Sequence, residues 1–193
     1  MARETIGPVP YVYPVPIVLV GALVDGAPNY ATIGDCAIMG IRPALVAVSL
    51  SAGHHTTRGI EEHRAFSINV PRTADLSLVD HFGQVSGRDV AKAGYVESFF
   101  GELETAPMIE SCPVTIECRV LNTMDIEHRR IFVASVVQTH VDDAYLTDGR
   151  PSPLGDLDPI LYALDNRYYR IGPQIGVGYE EGKRFAPRDG STV

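Results

Sequence analysis

PVPIVLVGALVDG (14–26), PNYATIG (28–34) and IRPALVAVSLS (41–51) are three apolar, β-branched stretches parted by turns, and their reading decides the fold class. The first is an almost unbroken apolar run from Val15 to Val24 that ends at Asp25-Gly26, which predicts a strand buried on both faces. The second and third are expected as further strands, separated by a bend around Ile38 to Pro43. Three strands joined by short connections favour antiparallel pairing.

Downstream the period changes. HHTTRGIEEHRAF (54–66) reads as a short helix with Thr56 or Thr57 as its N-cap and Glu61 and Glu62 near its start. FSINVP (66–71) is a compact strand, and in RTADLSLVDHFG (72–83) Leu76, Val79 and Phe82 fall at helical spacing, with Gly83 as the stop. SGRDVAKAG (86–94) offers Ser86 as the cap of one further turn, and the run on to Pro107 reads as mostly irregular.

VTIECRVL (114–121) alternates, with Val114, Ile116, Cys118 and Val120 on one face and Thr115, Glu117 and Arg119 on the other, so a half-exposed strand is expected. NTMDIEHR (122–129) then connects as a hairpin to RIFVASVVQTHV (130–141). Residues 142–159 are acidic and rich in Gly and Pro, a loop, and the charged last dozen residues are expected at the periphery. Six or so strands with short helical insertions, and no regular strand–helix alternation, predict one mainly β domain over residues 1–193, a β-barrel with helical decoration.

The bulk composition removes several function classes. A net charge of -8 argues against a sequence-independent nucleic-acid binder, which needs a surplus of Lys and Arg. The run from Val15 to Val24 is too short to span a bilayer, and no cationic leader opens the chain. Cys36, Cys112 and Cys118 form no paired framework, so a reducing, cytoplasmic setting is expected. No GxGxxG or Walker A pattern occurs.

SLSAGHHTT (49–57) is the most informative stretch for function. A strand ends, a glycine follows, and a helix begins amid the hydroxyls of Ser51 and Thr56, an arrangement that suits a phosphate and equally suits an ordinary helix start. The adjacent His54 and His55 would point in opposite directions on an extended segment and lack spaced partners, so no metal site is assigned. Asn29 and Thr32 in APNYATIG, and Arg88 and Lys92 in SGRDVAKAG, are further candidates, each open to a plain turn or surface reading. Cys36 is read as either packing or redox-active, Cys118 as a buried small hydrophobe, and His128 as a ligand contact or a hairpin end.

Taken in order, PVPIVLVGAL, GAPNYATIG, RPALVAVSLS, HHTTRGIEEHRAFSINVP, SGRDVAKAGYV, APMIESCPVTIEC, HRRIFVASVV and DPILYALDNRYYRIG resemble the flavin-reductase-like family, above all its flavoredoxin branch, from about Pro14 to Gly172. The resemblance implies a six-stranded antiparallel Greek-key split barrel, noncovalent FMN, and a homodimer with the flavin at the subunit interface. It implies that Asn29, Ala31, Thr32 and Ile33 line the ring edge, and that Ser49, Leu50 and Ser51 form the strand end against ring and ribityl chain. His55 and Thr56 would hold the phosphate, Asn69 would close the floor, and Lys92 would add charge. No acid–base catalytic residue is implied, because hydride passes directly between nicotinamide and flavin.

The expected activity is electron transfer from NAD(P)H through FMN to a flavin, ferric or protein acceptor. A flavoredoxin-type carrier that serves a redox partner protein without its own NAD(P)H activity, or a barrel that has lost its flavin, are the alternatives. The chain departs from its relatives at His54, where they often carry Arg or Lys, and at Asp35-Cys36, where they often place an aromatic residue.

Overall fold

A computed structural model describes residues 3–185. Residues 186–193, most of the charged end expected at the periphery, lie outside the described residues.

Seven strands form one antiparallel sheet: β1 (Val18–Val24), β2 (Ala27–Ile33), β3 (Cys36–Ile41), β4 (Ala44–Ser51), β5 (Ala65–Val70), β6 (Val114–Ile126) and β7 (Arg129–Val141). Their hydrogen-bonded order is β2-β1-β5-β6-β7-β4-β3. The β1–β2 hairpin lies at one end and the β3–β4 hairpin at the other. Helix α1 (His55–His63) carries the chain from β4 across to β5, which lands beside β1. The long β6–β7 pair then fills the space between β5 and β4.

Inward-facing side chains from both ends of the sheet meet in one cluster: Val18 and Val20 from β1, Ala31 and Ile33 from β2, Val46, Val48 and Leu50 from β4, and Phe132 and Ala134 from β7. A sheet whose two ends share a core has curled on itself, and β2 and β4 come together with no ladder between them, which is the split in the barrel. This is the mainly β barrel with short helices that the sequence predicts.

The first strand is buried on both faces as its apolar run requires. Its outer face meets a second cluster in which Leu19 packs with Tyr30, Val79, Phe82, Ile109 and Ile160. Val79 and Phe82 come from α2 (Leu76–Gln84), whose apolar stripe is the one read at helical spacing; the helix runs one residue past Gly83.

Several local expectations need correction, among them the position of Glu61 and Glu62, which lie in the last turn of α1 and not near its start. The bend placed at Ile38–Pro43 is in large part the edge strand β3, with the chain turning only at Arg42-Pro43; Ile38 and Ile41 on it are 72% and 73% exposed. Neither Thr56 nor Thr57 caps α1. The N-cap is His54, and both hydroxyls are used in tertiary bonds: Thr56 Oγ1 accepts from Asn29 and Thr57 Oγ1 donates to the Ser51 carbonyl. Finally, β6 is not half-exposed along Thr115 and Glu117, because the irregular run 98–109 folds over that face and buries both.

That covering segment is pinned by polar bonds. Asn69 accepts from the Ile109 N–H (2.8 Å) and donates to the Leu19 carbonyl (2.8 Å) and to Ser67 Oγ (2.9 Å), and Tyr30 shares a hydrogen bond of 2.7 Å with Ser98. Glu117 accepts the N–H groups of Glu102 and Leu103 and bonds His140.

Helix α1 sits close against β1 through Gly59, where a Cβ would press on the Leu23 carbonyl and reach 2.8 Å from Val24 Cγ2. Gly59→Ala is therefore expected to cost about 1–3 kcal/mol, because the obstacle is backbone that cannot swing aside. Urea unfolding checks it: an unchanged midpoint would show that helix and strand are not held at this distance.

Candidate functional site

The end of β4, the start of α1, strand β2 and the turn after α2 enclose a cleft of about 370 Å³. Asn29, Ala31 and Thr32 form one wall, Ser51, Gly53, His54, His55 and Thr56 a second, and Phe82 to Gly87 with Lys92 the third.

The sequence determines the α1 end locally. Ser51 closes the strand, its carbonyl accepting from the His54 N–H (3.0 Å) and from Thr57 Oγ1 (2.8 Å), so the chain turns at Ala52-Gly53 straight into the helix. The first N–H groups of a helix have no intrahelical acceptor, and the residues that open α1, His55 and Thr56, line the cleft. Arg88 reaches over the turn and donates to the Gly53 carbonyl at 2.7 Å.

Lys92 is the most constrained group in the cleft. Only 4% exposed, it donates to the Tyr30 carbonyl at 2.9 Å and the Phe82 carbonyl at 2.7 Å, while its ammonium lies 5.3 Å from the Phe82 ring centroid. An ammonium has three N–H donors, so one remains without an acceptor among the described residues. Burial pulls its pKa down to about 8.

Both histidines are held below their ordinary pKa. Burial is the first cause for each, followed by neighbouring cations: Arg129, Lys92 and Arg88 for His54, and Arg88 and Arg58 for His55, where Asp25 opposes. His55 Nδ1 is buried without a hydrogen-bond partner among the described residues. Lys92 and Arg88, both distant in sequence from α1, thus bring positive charge close to His54 and His55.

Of the residues singled out in the sequence, Asn29, Ala31, Thr32, Ser51, His55, Thr56 and Lys92 meet in this cleft. Asn29 donates to Thr56 Oγ1 at 2.7 Å, and Thr32 Oγ1 donates to the Val79 carbonyl at 2.6 Å. Four others do not line it. Ile33 and Leu50 point into the barrel core, Asn69 is the anchor of the covering segment, and Ser49 accepts from Arg129 Nε (3.1 Å) in a separate cleft with Asp35 and Cys36. His128 is exposed in the β6–β7 turn and does not line the cleft, although its carbonyl accepts from the Ala52 N–H at the cleft's edge (2.9 Å). The Cys36 thiol is pushed by burial up to about 11, which keeps it protonated and argues for packing.

The wall from Phe82 to Gly87 went unread because it is formed by a helix end and a turn whose side chains carry no motif. Gly87 is its informative member: a Cβ there would collide with the Asn29 carboxamide, 2.7 Å from Cγ and 3.0 Å from Nδ2.

The model of the flavin reductase like domain matches residues 11–172. The chain belongs to this family. Within the flavin-reductase-like family it is similar to the flavoredoxin of Methanosarcina acetivorans, with 34% identity, 95% of this chain and 98% of that one covered, and a TM-score of 0.91. The flavoredoxin of Desulfovibrio vulgaris (Miyazaki F) is 28% identical over 94% and 100% of the two chains, with a TM-score of 0.86. An FMN-binding protein from Thermus thermophilus, crystallised with 1-cyclohex-2-enone, is 25% identical over 92% and 99%, with a TM-score of 0.77. An uncharacterized protein of Archaeoglobus fulgidus is 26% identical over 153 residues, covering 78% of this chain and 85% of its own length. Among the described residues, no helix is long and apolar enough to cross a membrane.

Proposed function

We propose that this member of the flavin-reductase-like family binds FMN in the cleft between α1 and α2 and passes electrons through it. The observation that carries the reading is the convergence, on one cleft, of a buried ammonium with a spare N–H, an orphaned His55 Nδ1 and the N–H groups that open α1. Each offers a donor to a phosphate, and Arg88, which reaches over the turn to the Gly53 carbonyl, adds positive charge beside them. Toward β2 the walls turn to Ala31, Thr32 and Phe82, a surface suited to a ribityl chain and a flat ring.

When bound, FMN supplies the capacity to take up and release electrons singly or as a hydride. The protein's part is orientation and charge. Thr56 and Asn29 brace one another across the cleft, Lys92 holds a cation at its floor, and Tyr30 and Phe82 carbonyls fix that cation in place.

Two electron routes fit. NAD(P)H-dependent reduction of a flavin, ferric or protein acceptor is one; a flavoredoxin-type carrier fed by a protein partner is the other, favoured by the likeness to the two flavoredoxins. The exposed edge strand with Ile38, Met39 and Ile41 supports assembly as a homodimer, and the free thiols support a cytoplasmic setting.

The visible spectrum of the purified protein, before and after FMN titration, tests the reading. Stoichiometric uptake is the expected result, and no uptake overturns it. NADH and NADPH added to the loaded protein then divide the routes: saturable oxidation marks a reductase, and bleaching by a low-potential protein donor alone marks a carrier. Gly87→Ala is expected to weaken FMN about tenfold, or 1.4 kcal/mol, because the new methyl displaces Asn29 from Thr56. Titration calorimetry checks it, and unchanged affinity would remove Asn29 from the site.

A further inference from the structure

At the end of the cleft where α1 begins, two of its walls are tied together by one side chain. Arg88 directly follows Ser86 and Gly87 of the third wall, and its Nη1 donates across to the carbonyl of Gly53 in the second, at 2.7 Å. Neither wall is free to shift and widen this gap. On one side Gly87 lies against the Asn29 carboxamide, so the turn cannot retreat toward β2. Ser86 holds the same turn, its hydroxyl accepting the Arg88 N–H (3.2 Å) and its carbonyl the N–H groups of Asp89 (3.1 Å) and Val90 (3.0 Å). On the other side the Ser51 carbonyl fixes the start of α1 through the His54 N–H and Thr57 Oγ1. The exposed Arg88 side chain is therefore the movable part of the closure.

Its guanidinium also has donors to spare. Of five N–H groups one goes to Gly53, and the rest have no acceptor among the described residues. They stand beside the groups assigned to the phosphate, since Arg88 is close enough to His54 and His55 to add to the effect of burial in lowering the pKa of both.

The chemistry of the two flavin nucleotides makes such a closure selective. FMN ends in a phosphate monoester, with three terminal oxygens and a charge of about −1.5 to −2 at neutral pH. In FAD one of those oxygens bridges to a second phosphate and an adenosine, so the ligand has to run on out of the cleft through the gap that Arg88 crosses. A terminal phosphate stops short of that gap. It also offers the spare N–H groups a charged oxygen, a stronger acceptor than a bridging one.

We infer that Arg88 is the specificity-determining residue of this cleft, a strap to Gly53 that admits the flavin mononucleotide and rejects the dinucleotide. The inference rests on the reading of the cleft as the FMN site with its phosphate at the start of α1. Gly53 takes part through its carbonyl alone, so the selection lies in the Arg88 side chain.

Titration calorimetry of the flavin-free full chain with FMN and with FAD tests it. The unaltered protein should bind FMN about 100-fold more tightly than FAD. In Arg88→Ala the two affinities should move in opposite directions, FMN weakening about tenfold for want of a charged donor and FAD tightening about tenfold because the gap is open. Arg88→Lys, which keeps a cation able to reach the Gly53 carbonyl, should retain most of the preference for FMN. Absence of FMN binding in the unaltered protein overturns the cofactor reading and this inference with it. FMN binding accompanied by equal affinity for FAD overturns the strap alone. So does an Arg88→Ala variant in which both affinities fall together, the pattern of a side chain that serves only as a cation or only to hold the turn, and so does an Arg88→Lys variant that loses the preference as fully as alanine.

Discussion

Glu117→Ala is expected to destabilise the fold by about 3–5 kcal/mol, the range for removing one partner of a buried, fully hydrogen-bonded charge. Glu117 is 0% exposed and sits on β6, beneath the segment that crosses from α2 to β6. Its oxygens accept from the Glu102 N–H at 3.1 Å, the Leu103 N–H at 2.5 Å and His140 Nε2 at 2.6 Å. Alanine would strand two backbone donors and an imidazole together, and the run 98–109 would lose its clamp to the sheet. Urea unfolding with an unchanged slope should show the loss as a lower midpoint; a loss under about 1 kcal/mol, typical of a surface position, would refute the clamp.

The same carboxylate sets part of the acid response. Burial alone would raise its pKa, and the bonds from His140, Leu103 and Glu102 outweigh that, so the folded value lies below the ordinary one of 4.5. A depressed folded pKa means the stabilisation is fully present above the unfolded value and is lost as pH falls through the folded one. His54 and His55 act earlier. Their folded values lie below 6.5, so the unfolded chain takes up protons first and stability declines as pH drops from about 6.5. Glu117→Gln should abolish the late, acidic part of the decline and leave the early part in place.

Glu117 also shows what the sequence conceals. Alternation in 114–121 separates two faces correctly, yet it cannot tell that a distant, irregular segment will cover the polar one. The strand β3 escaped for the opposite reason: Ile38, Met39 and Ile41 lie exposed on an edge, so no alternation marks it. The barrel itself was legible because β1 and β4 bury apolar side chains with the periods their burial demands, and α2 because Leu76, Val79 and Phe82 share one face. In the cleft, the α1 wall was legible from SLSAGHHTT, since a strand end, a glycine and a helix start lie within nine residues. The Gly87 contact with Asn29 was not, because it depends on how the turn after α2 docks against β2.

Lys92→Met is expected to raise the FMN dissociation constant about 10- to 100-fold at neutral pH, with the stability of the cofactor-free protein changed by no more than about 1 kcal/mol. A hydrogen bond from a charged donor is worth about 1.5–3 kcal/mol, which sets the range for affinity. Stability moves little because two effects oppose. Methionine leaves the Tyr30 and Phe82 carbonyls without their donor, and it also removes an ammonium that burial destabilises enough to bring its pKa from 10.5 to about 8. A lysine kept only for packing would show the reverse pattern, with stability falling and affinity untouched. The pH profile separates the two further. Affinity due to the ammonium is present while it is protonated and is lost as pH rises through its folded pKa, which a bound phosphate would shift above 8. Calorimetric titrations from pH 7 to beyond 9 should therefore show FMN binding weakening in the wild type and staying level in Lys92→Met, which has no ammonium to lose. Parallel profiles would show that the spare N–H of Lys92 does not face the cofactor.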